Sequence, residues 1–261
     1  MQNNVSTSAL LGLFTDALVS VLRCSERFDT RLHPGVTMVL SGEPFADLNC
    51  IVVDQGPRTR EWFSESVCTC AQAGIPFLAI LGPSVADALT SAATELGLRY
   101  ATKFPLMVCE PAEIKPVPTE GVKVVRATSL ADLKNSAVVL TRAFNLSEES
   151  VLRACPLRMI ENPVVNVFVA LFNGQPVSSV TTTIHHEMVG IWAMGTDPAY
   201  RRRGLGRALL AEAMRAHSRR GARRFFLGAT SAGKPLYERL AFVTQDVAHV
   251  WVSDAAGDGL E

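Results

Sequence analysis

Residues 193–210 read Ala-Met-Gly-Thr-Asp-Pro-Ala-Tyr-Arg-Arg-Arg-Gly-Leu-Gly-Arg-Ala-Leu-Leu, and this stretch is the most informative part of the sequence. An apolar run stops at Asp-Pro and a helical pattern begins beyond Gly204 and Gly206, which predicts a strand, a loop and a helix. The glycines let the backbone approach a ligand closely, and the first N–H groups of a helix lack partners within it. The helix dipole and the surrounding arginines add positive charge. We therefore predict a phosphate site here.

Two common phosphate-binding motifs do not fit this stretch. A dinucleotide-binding loop requires a third glycine where Leu209 stands, and an acidic residue about 20 positions further on, where Arg223 and Arg224 stand. A P-loop requires Gly-Lys followed by Ser or Thr, which the stretch lacks. The predicted phosphate site is therefore of another type.

The pattern that remains, Arg201-x-x-Gly204-x-Gly206, resembles the pyrophosphate loop of the GCN5-related N-acetyltransferase (GNAT) superfamily, which moves acetyl groups from acetyl-CoA to amines. Residues 229–242 resemble the last strand-to-helix turn of that family, which usually ends in Tyr-x-x-x-Gly-Phe. Ala241 stands in place of the glycine. The resemblance covers about residues 122–253. It implies an α/β (α+β) fold in which a mixed sheet is flanked by helices.

The resemblance also implies which residues contact acetyl-CoA. In the family, backbone N–H groups of the loop hold the pyrophosphate. Backbone groups of the preceding strand pair with the pantetheine arm, and a backbone N–H there would also polarise the thioester carbonyl. The residues that match these positions, or lie in the final turn, are Ala193, Met194, Thr196, Arg201, Arg202, Arg203, Gly204, Leu205, Gly206, Arg207, Ala208, Ser231 and Lys234.

The family's usual general acid is a tyrosine on the last helix, and Tyr237 stands at the matching position. A neutral phenol with a pKa of about 10 can donate a proton to the departing thiolate. We favour this role for Tyr237, and packing on a helix surface is the alternative explanation. The sequence assigns no general base. Besides water, the titratable candidates are His185, His186, Glu187, Glu149, Glu161 and His249.

The uneven charge of the chain raises the question of nucleic-acid binding. Residues 1–117 carry 8 basic and 12 acidic side chains, whereas the remainder carries 17 and 13. Arginines are concentrated between Arg201 and Arg224, and any basic face attracts phosphate. No nucleic-acid motif and no interleaved aromatic residues accompany this cluster. We therefore favour a nucleotide-bearing cofactor over a nucleic-acid partner.

Composition predicts an ordinary globular protein that is not associated with a membrane. Apolar residues make up 48% of the chain and charged residues 19%. Asp16 interrupts the apolar segment near the N-terminus, so we predict neither a signal peptide nor a membrane span. The six cysteines lack the spacing of a zinc site and are interpreted as reduced thiols. These features predict a cytoplasmic protein without a metal.

The length of 261 residues favours two domains, and a proline-rich segment at 110–121 separates them. We predict an N-terminal domain at 1–115 and a catalytic domain at 122–261. Residues 96–108 align without a gap on residues 240–252, which suggests a tandem pair of GNAT-like domains. Residues 54–61 contain two acids and no glycine pair, so the N-terminal domain is predicted to lack the CoA loop. Its expected roles are to cover the sheet, shape the acceptor pocket or set oligomer contacts.

Hydrophobic periodicity and turn residues predict the remaining elements. Residues 23–34 are predicted as a loop. Helices are predicted at 8–22, 60–73, 85–96, 130–144, 148–157 and 204–219. Strands are predicted at 36–40, 48–53, 77–81, 106–109, 122–126, 165–172, 177–184 and 188–194.

These features predict an N-acyltransferase that transfers an acetyl group from acetyl-CoA to a primary amine by direct attack in a ternary complex. The cofactor segments contain no cysteine, which argues against an acyl-enzyme. The alternative is a non-catalytic CoA-binding sensor or regulatory protein, and a third interpretation is a nucleic-acid-binding module. The expected acceptor is a small-molecule amine, but an amino acid, an antibiotic and a protein lysine stay open as acceptors. A homodimer and a longer acyl donor also stay open.

Overall fold

The computed structural model describes residues 7–253. Within them the helices are α1 (Thr7–Leu22), α2 (Thr59–Gln72), α3 (Ala86–Glu95), α4 (Leu130–Phe144), α5 (Glu148–Ala154), α6 (Arg158–Glu161), α7 (Leu205–Ser218) and α8 (Lys234–Glu238). The strands are β1 (Asp29–His33), β2 (Val36–Leu40), β3 (Asn49–Val53), β4 (Leu78–Leu81), β5 (Leu98–Cys109), β6 (Val122–Arg126), β7 (Val165–Phe172), β8 (Gln175–His185), β9 (Met188–Thr196), β10 (Arg224–Gly228) and β11 (Val243–Ser253). None of these helices is long and apolar enough to cross a membrane.

The described chain divides into two compact units that differ from the predicted domains. The first unit contains residues 7–106 and 244–253, and the second contains residues 107–243. Almost all of β11, which the sequence assigns to the C-terminal domain, therefore belongs to the first unit. The proline-rich segment at 110–121 lies within the second unit, where Glu110 pairs with Arg224 at 2.6 Å. An assignment from linear sequence could not show this division, because each unit includes chain from beyond the linker.

The first unit is built on strands in the order β1-β2-β3-β4-β11-β5. β1, β2 and β3 pair antiparallel, β3 and β4 pair parallel, and β4 and β11 pair antiparallel. Phe63 of α2 and Leu89 of α3 pack with Ile51 and Val53 of β3 in one buried apolar cluster. Burial of this cluster supplies the main stabilisation of the unit.

The second unit contains strands in the order β10-β9-β8-β7-β6, with residues 107–109 of β5 in the same unit. Pairing is antiparallel from β6 to β9 and parallel between β9 and β10. Ser179 of β8 contacts Ser136 of α4, whereas Thr182 contacts His217 of α7. Side chains an odd number of residues apart on a strand point to opposite faces, so α4 and α7 cover the two faces of this sheet.

The C-terminal part of each copy of the predicted repeat has the same element order. β3, α2, β4, α3 and β5 follow one another as β9, α7, β10, α8 and β11 do, and the first and third elements of each series pair parallel. Gly97 and Ala241, which align in the repeat, both have positive φ, at 76° and 63°. This shared backbone geometry supports the tandem interpretation.

Three predicted elements differ from the structure. The loop predicted at 23–34 contains β1, which forms because its backbone pairs with β2 from Asp29 to His33 although its side chains lack apolar alternation. β5 begins at Leu98, eight residues before the predicted strand. The sequence pattern misses its first half because that half is only partly buried and contains no apolar run. The helix predicted at 148–157 ends at Ala154, since Pro156 disfavours helix at the residue before it.

Candidate functional site

The second unit opens at the point where β9 and β10 separate. Their parallel register covers only Arg224–Phe226 against Met188–Gly190. β9 continues for six residues to Thr196, and β10 for two residues to Gly228. Beyond Gly190, the backbone groups on the edge of β9 that faces β10 are therefore not paired with β10. Such an edge can pair with an extended ligand that carries amides.

A β-bulge lies in the separated part of β9. The register with β8 passes from Thr181↔Trp192 to Ser179↔Gly195, so β9 has one extra residue there. Ala193 takes up the irregularity with φ 44°, a left-handed conformation that non-glycine residues rarely adopt. Bulges redirect the backbone and often occur beside active sites. Ala193 and Met194, both predicted to contact the pantetheine arm, are the bulged residues.

The segment after β9 leads into the exposed start of α7. Gly204 is the N-cap residue, with φ 77°, and supplies no side-chain cap. The first backbone bond of the helix runs from the Ala208 N–H to the Gly204 carbonyl at 2.9 Å. The N–H groups of residues 205–207 precede that bond and have no helical partner. They point out of the positive end of the helix dipole, which suits an anion.

Gly206 packs closely against the end of β9. A methyl group at this position would lie 3.0 Å from Thr196 Oγ1 and 3.1 Å from Met194 Cε. Thr196 Oγ1 is itself 2.9 Å from Ser178 Oγ, which donates to the Gly195 carbonyl at 2.7 Å. The first turn of α7 thus lies directly on residues 194–196. The structure thereby brings the glycine loop and the predicted pantetheine strand together.

The four arginines near the loop have different surroundings. Arg201 donates from Nε to the Thr196 carbonyl at 3.2 Å and from Nη2 to the Ala143 carbonyl at 3.0 Å. Its guanidinium is therefore engaged within the protein. Arg203 lies over the ring of Tyr200 at 5.3 Å, and Arg202 has φ 65°. Arg202, Arg203 and Arg207 are all exposed, so these three can supply charge to a phosphate.

The remaining loop residues contribute through their backbone. Leu205 and Ala208 are buried, and Leu205 belongs to the apolar cluster beneath α7. Their side chains fix the helix on the sheet. Only the backbone of these two residues is therefore available to a ligand at the loop.

Tyr237 lies on α8 within the same apolar cluster as Leu205. Its ring is edge-on to Phe242 at 5.9 Å, and a methyl group on Gly233 would lie 3.0 Å from Tyr237 Cε2. Burial raises the pKa of Tyr237 to about 12. The phenol is therefore protonated at neutral pH and can act only as a hydrogen-bond and proton donor toward a thiolate.

Ser231 and Lys234 lie in the turn before Tyr237. Ser231 is exposed, and Lys234 Nζ is 3.6 Å from Glu238 Oε1. Within residues 7–253, no hydrogen bond joins either side chain to the glycine loop. The turn itself is closed by Thr230, whose Oγ1 accepts from the Gly233 N–H at 3.1 Å.

The candidate bases lie on different elements of the chain. His186 and Glu187 form the exposed turn between β8 and β9, at the opposite end of β9 from the glycine loop. Glu149 is paired with Arg153 on α5. His249 belongs to the other compact unit, where it lies edge-on to Tyr100 at 5.8 Å. The described geometry assigns no general base.

The corresponding strands of the first unit remain paired to their ends. β3 and β4 are in register from Cys50↔Leu78 to Val53↔Leu81, and the Gly82 N–H donates to the Val53 carbonyl at 2.7 Å. A methyl group on Gly82 would lie 2.4 Å from Leu11 Cδ2. The opening seen between β9 and β10 has no counterpart between β3 and β4. This difference supports the prediction that the N-terminal half lacks a cofactor cleft, which stays a prediction.

Two residues that sequence reasoning missed organise the loop. Asp197 caps the short 3-10 helix Pro198–Tyr200 by accepting from the Ala199 N–H at 2.9 Å, and its other oxygen accepts from Arg142 at 2.9 Å. An aspartate directly before proline is a typical N-cap, so the sequence contained a signal for Asp197. Arg142 lies 55 residues away on α4, and no local pattern identifies it.

Comparison with protein-family models identifies the kind of domain that contains this site. Residues 163–244 match the family model described as an acetyltransferase (GNAT) domain. The second unit contains a GNAT domain. The matched segment includes the separated strands, the bulge, the glycine loop and Tyr237, and the match supports an acyltransferase.

Solved structures with GNAT folds are similar to nearly the whole chain. A GCN5-related N-acetyltransferase from Kribbella flavida has 20% identity and a TM-score of 0.70, with 94% of this chain and 95% of that chain covered. A GCN5-related N-acetyltransferase from Sphaerobacter thermophilus has 17% identity and a TM-score of 0.62, with 97% and 95% covered. A tandem GNAT protein from the clavulanic acid biosynthesis pathway has 12% identity and a TM-score of 0.61, with 97% and 98% covered. A search of curated proteins finds no match.

These comparisons confirm the predicted GNAT fold, with a mixed sheet flanked by helices, and the similarity to a tandem GNAT protein agrees with the internal repeat. At these sequence identities the solved structures support the fold alone. The roles of the individual site residues and the cytoplasmic location stay predictions.

Proposed function

We propose that the protein is an N-acetyltransferase that transfers the acetyl group of acetyl-CoA to a primary amine. One observation carries this proposal. The start of α7 at Gly204, which has no side-chain cap, lies directly against β9 where β9 no longer pairs with β10. The first feature suits a pyrophosphate and the second suits an extended chain with amide groups. Acetyl-CoA contains both parts in one molecule.

The residues present fit the two ends of this substrate. The N–H groups of Arg203, Gly204, Gly206 and Arg207 would hold the pyrophosphate, with the exposed guanidinium groups of Arg202, Arg203 and Arg207 around it. The backbone of residues 193–196 would pair with the pantetheine arm. A methyl group on Gly206 would press on Thr196 and Met194, so glycine keeps the two parts of the cradle together.

Acetyl-CoA supplies an activated thioester, and the protein supplies orientation and hydrogen-bond donors. A backbone N–H near the bulge at Ala193 would donate to the carbonyl oxygen as it gains negative charge. Tyr237 keeps its proton at neutral pH because burial raises its pKa to about 12. It would deliver that proton to the sulfur as the C–S bond breaks. The acceptor amine loses its proton to water or to a base that is not assigned.

Direct attack by the amine is favoured over an acyl-enzyme. Cys109 is a buried cysteine in the same apolar cluster as Tyr237, and its thiol donates to the Leu240 carbonyl at 3.3 Å. Burial, together with the nearby Glu110, raises the pKa of this thiol to about 11. A thiol that stays protonated is a poor nucleophile. We therefore expect a ternary complex, with initial-rate lines that intersect rather than run parallel.

The test is free-thiol release from acetyl-CoA with a panel of primary amines. We expect release with at least one amine. Tyr237→Phe is expected to lower kcat by about ten- to a thousand-fold while the Kd for acetyl-CoA stays within about twofold. Tyr100→Phe, at an exposed tyrosine of the first unit, is the matched control and should leave kcat unchanged.

Each other outcome has a definite meaning. Binding of acetyl-CoA without thiol release on any amine would overturn the transfer proposal in favour of a CoA-binding sensor. An unchanged kcat in Tyr237→Phe would show that Tyr237 is a packing residue. Salt-dependent binding of nucleic acid without competition from CoA would support the third interpretation.

A further inference from the structure

A basic cavity that is separate from the glycine loop lies in the second unit, at the C-terminal end of α7. Its volume is about 320 Å³, which falls at the small end of the usual range for ligand pockets. The residues that line it come from β6, β7 and α7 and from the turn after α7, and they are Arg126, Phe168, Ala216, His217, Arg219 and Arg220. The 14 residues of α7 separate this cavity from the glycine loop by about 20 Å.

Two uncharged rings form part of the cavity wall. Phe168 and His217 are both buried, and their rings meet edge-on at 5.6 Å. His217 is fixed by a hydrogen bond between Nε2 and Thr182 Oγ1 at 2.8 Å. Burial, with the charges of Arg220 and Arg126, lowers the pKa of His217 to about 4, so the imidazole is neutral at pH 7. This wall is therefore suited to an apolar body.

The exposed side of the cavity carries three guanidinium groups. Within residues 7–253, neither Arg126 nor Arg220 has a carboxylate at ion-pair distance, and no acidic residue lines the cavity. Arg219 makes one long contact, 3.4 Å from Nη1 to Glu212 Oε1, and Glu212 pairs more closely with Arg215 at 2.6 Å. The C-terminal end of a helix carries about half a negative charge, which the three guanidinium groups exceed. The opening is thus positively charged, and among the described residues only Arg219 of the three has a carboxylate, that of Glu212, within ion-pair distance.

We propose that this cavity binds a small organic carboxylate with an apolar body, such as an aromatic acid. Guanidinium groups bind a carboxylate through paired N–H donors, and the body packs against the rings of Phe168 and His217. An inorganic anion would pair with the arginines but would make no apolar contact with the rings of Phe168 and His217. A neutral aromatic molecule would pack against the rings of Phe168 and His217 but would give the arginines no negative partner. The proposal concerns a site separate from acetyl transfer and does not depend on that activity.

The experiment is a ligand titration of the full chain, followed by NMR, with benzoate as the probe. Benzamide serves as the uncharged match and sulfate as the anion without an apolar body. We expect benzoate to bind with a Kd below about 5 mM, and the other two at least about tenfold more weakly. Saturating desulfo-CoA should leave benzoate binding unchanged, because the glycine loop lies at the other end of α7.

Variants locate the site. Arg126→Gln combined with Arg220→Gln should weaken benzoate binding by at least about tenfold and leave acetyl-CoA binding unchanged, which also shows that the protein is folded. Arg223→Gln removes an exposed arginine that does not line the cavity and should have no effect. Absence of benzoate binding, equal binding of benzamide, or binding that survives the double change would overturn the proposal. None of these results bears on acetyl transfer.

Discussion

Arg142 donates from Nη1 to Oδ2 of Asp197 at 2.9 Å, and this bond ties α4 to the segment that precedes α7. Asp197 is buried, which by itself would raise its pKa, but hydrogen bonds from Arg142 and the Ala199 N–H outweigh burial and lower it. The carboxylate is therefore ionised at neutral pH. Arg201 adds two further bonds, to the carbonyls of Thr196 and Ala143. The loop is held in place by the protein itself.

Asp197→Asn tests whether this anchoring supports the donor site. Asparagine keeps an oxygen for the Ala199 N–H but loses the charge that pairs with Arg142. Because Arg142 is largely exposed, we expect a loss of only about 1 kcal/mol in the free energy of unfolding. Acetyl-CoA affinity should fall several-fold in calorimetry. Asp246→Asn, on β11, is the control; affinity equal to wild type in Asp197→Asn would show that the anchor is dispensable.

Gly206→Ala tests the contact between α7 and β9. The new methyl group would press on Thr196 Oγ1 and Met194 Cε at about 3 Å, so these side chains, the helix start or the strand must shift. We expect the Kd for acetyl-CoA to rise by about tenfold, which corresponds to about 1.4 kcal/mol. Gly12→Ala is the matched control, since a methyl group there meets nothing within 4 Å. A Kd unchanged in Gly206→Ala would contradict the proposed cradle.

Ala241→Gly should stabilise the protein. Ala241 has φ 63°, a left-handed conformation that costs an L-residue about 1 kcal/mol or more, and glycine stands at the aligned position 97 with φ 76°. After the larger backbone entropy of glycine is subtracted, we expect a gain of about 0.5 kcal/mol in urea unfolding. Ala88→Gly, at an exposed position in α3, should instead destabilise. A loss of stability in Ala241→Gly would refute the strain argument.

The stability of the protein should depend on the ionisation of His217. Burial lowers its folded pKa to about 4, compared with 6.5 for the exposed imidazole. A base with a lowered folded pKa contributes stability above the unfolded pKa and loses it as the pH falls from 6.5 toward 4. The loss amounts to about 3 kcal/mol at most. His217→Gln, which keeps a donor for Thr182, should remove this dependence.

The measurement for His217 is the urea midpoint at about pH 7.5 and pH 5, both above the ordinary pKa values of aspartate and glutamate. Wild type should lose clearly more stability than His217→Gln between the two values. Equal losses in the two proteins would mean that His217 is not protonated on unfolding.

The elements that the sequence predicts best are those whose side chains carry a regular pattern. β6, β7 and α4 match their predicted bounds at 122–126, 165–172 and 130–144. The two strands are rich in β-branched residues, the apolar residues of α4 recur at helical spacing, and turn residues flank all three elements. Hydrophobic periodicity does not predict β1, because pairing with β2 rather than its own side-chain pattern makes it a strand. The transfer of β11 to the first unit likewise depends on contacts between distant parts of the chain.

The candidate site is predicted from the sequence only where a residue type is unusual for its position. Gly204 and Gly206 identify the loop because few other residues fit a positive φ or so close a contact. The bulge at Ala193 gives no such signal, since alanine is unremarkable in sequence and its φ of 44° results from the register with β8. The bond between Arg142 and Asp197 is also a product of tertiary structure.

The central claim is that one acetyl-CoA binds at the start of α7, and a calorimetric titration of the full chain with acetyl-CoA tests it most directly. We predict one site per chain, because β9 and β10 separate whereas β3 and β4 do not. The expected Kd is about 1–100 μM. Gly204→Glu should abolish the heat, since it places a carboxylate at the anion site. No binding by wild type, two sites per chain, or full binding by Gly204→Glu would contradict the account.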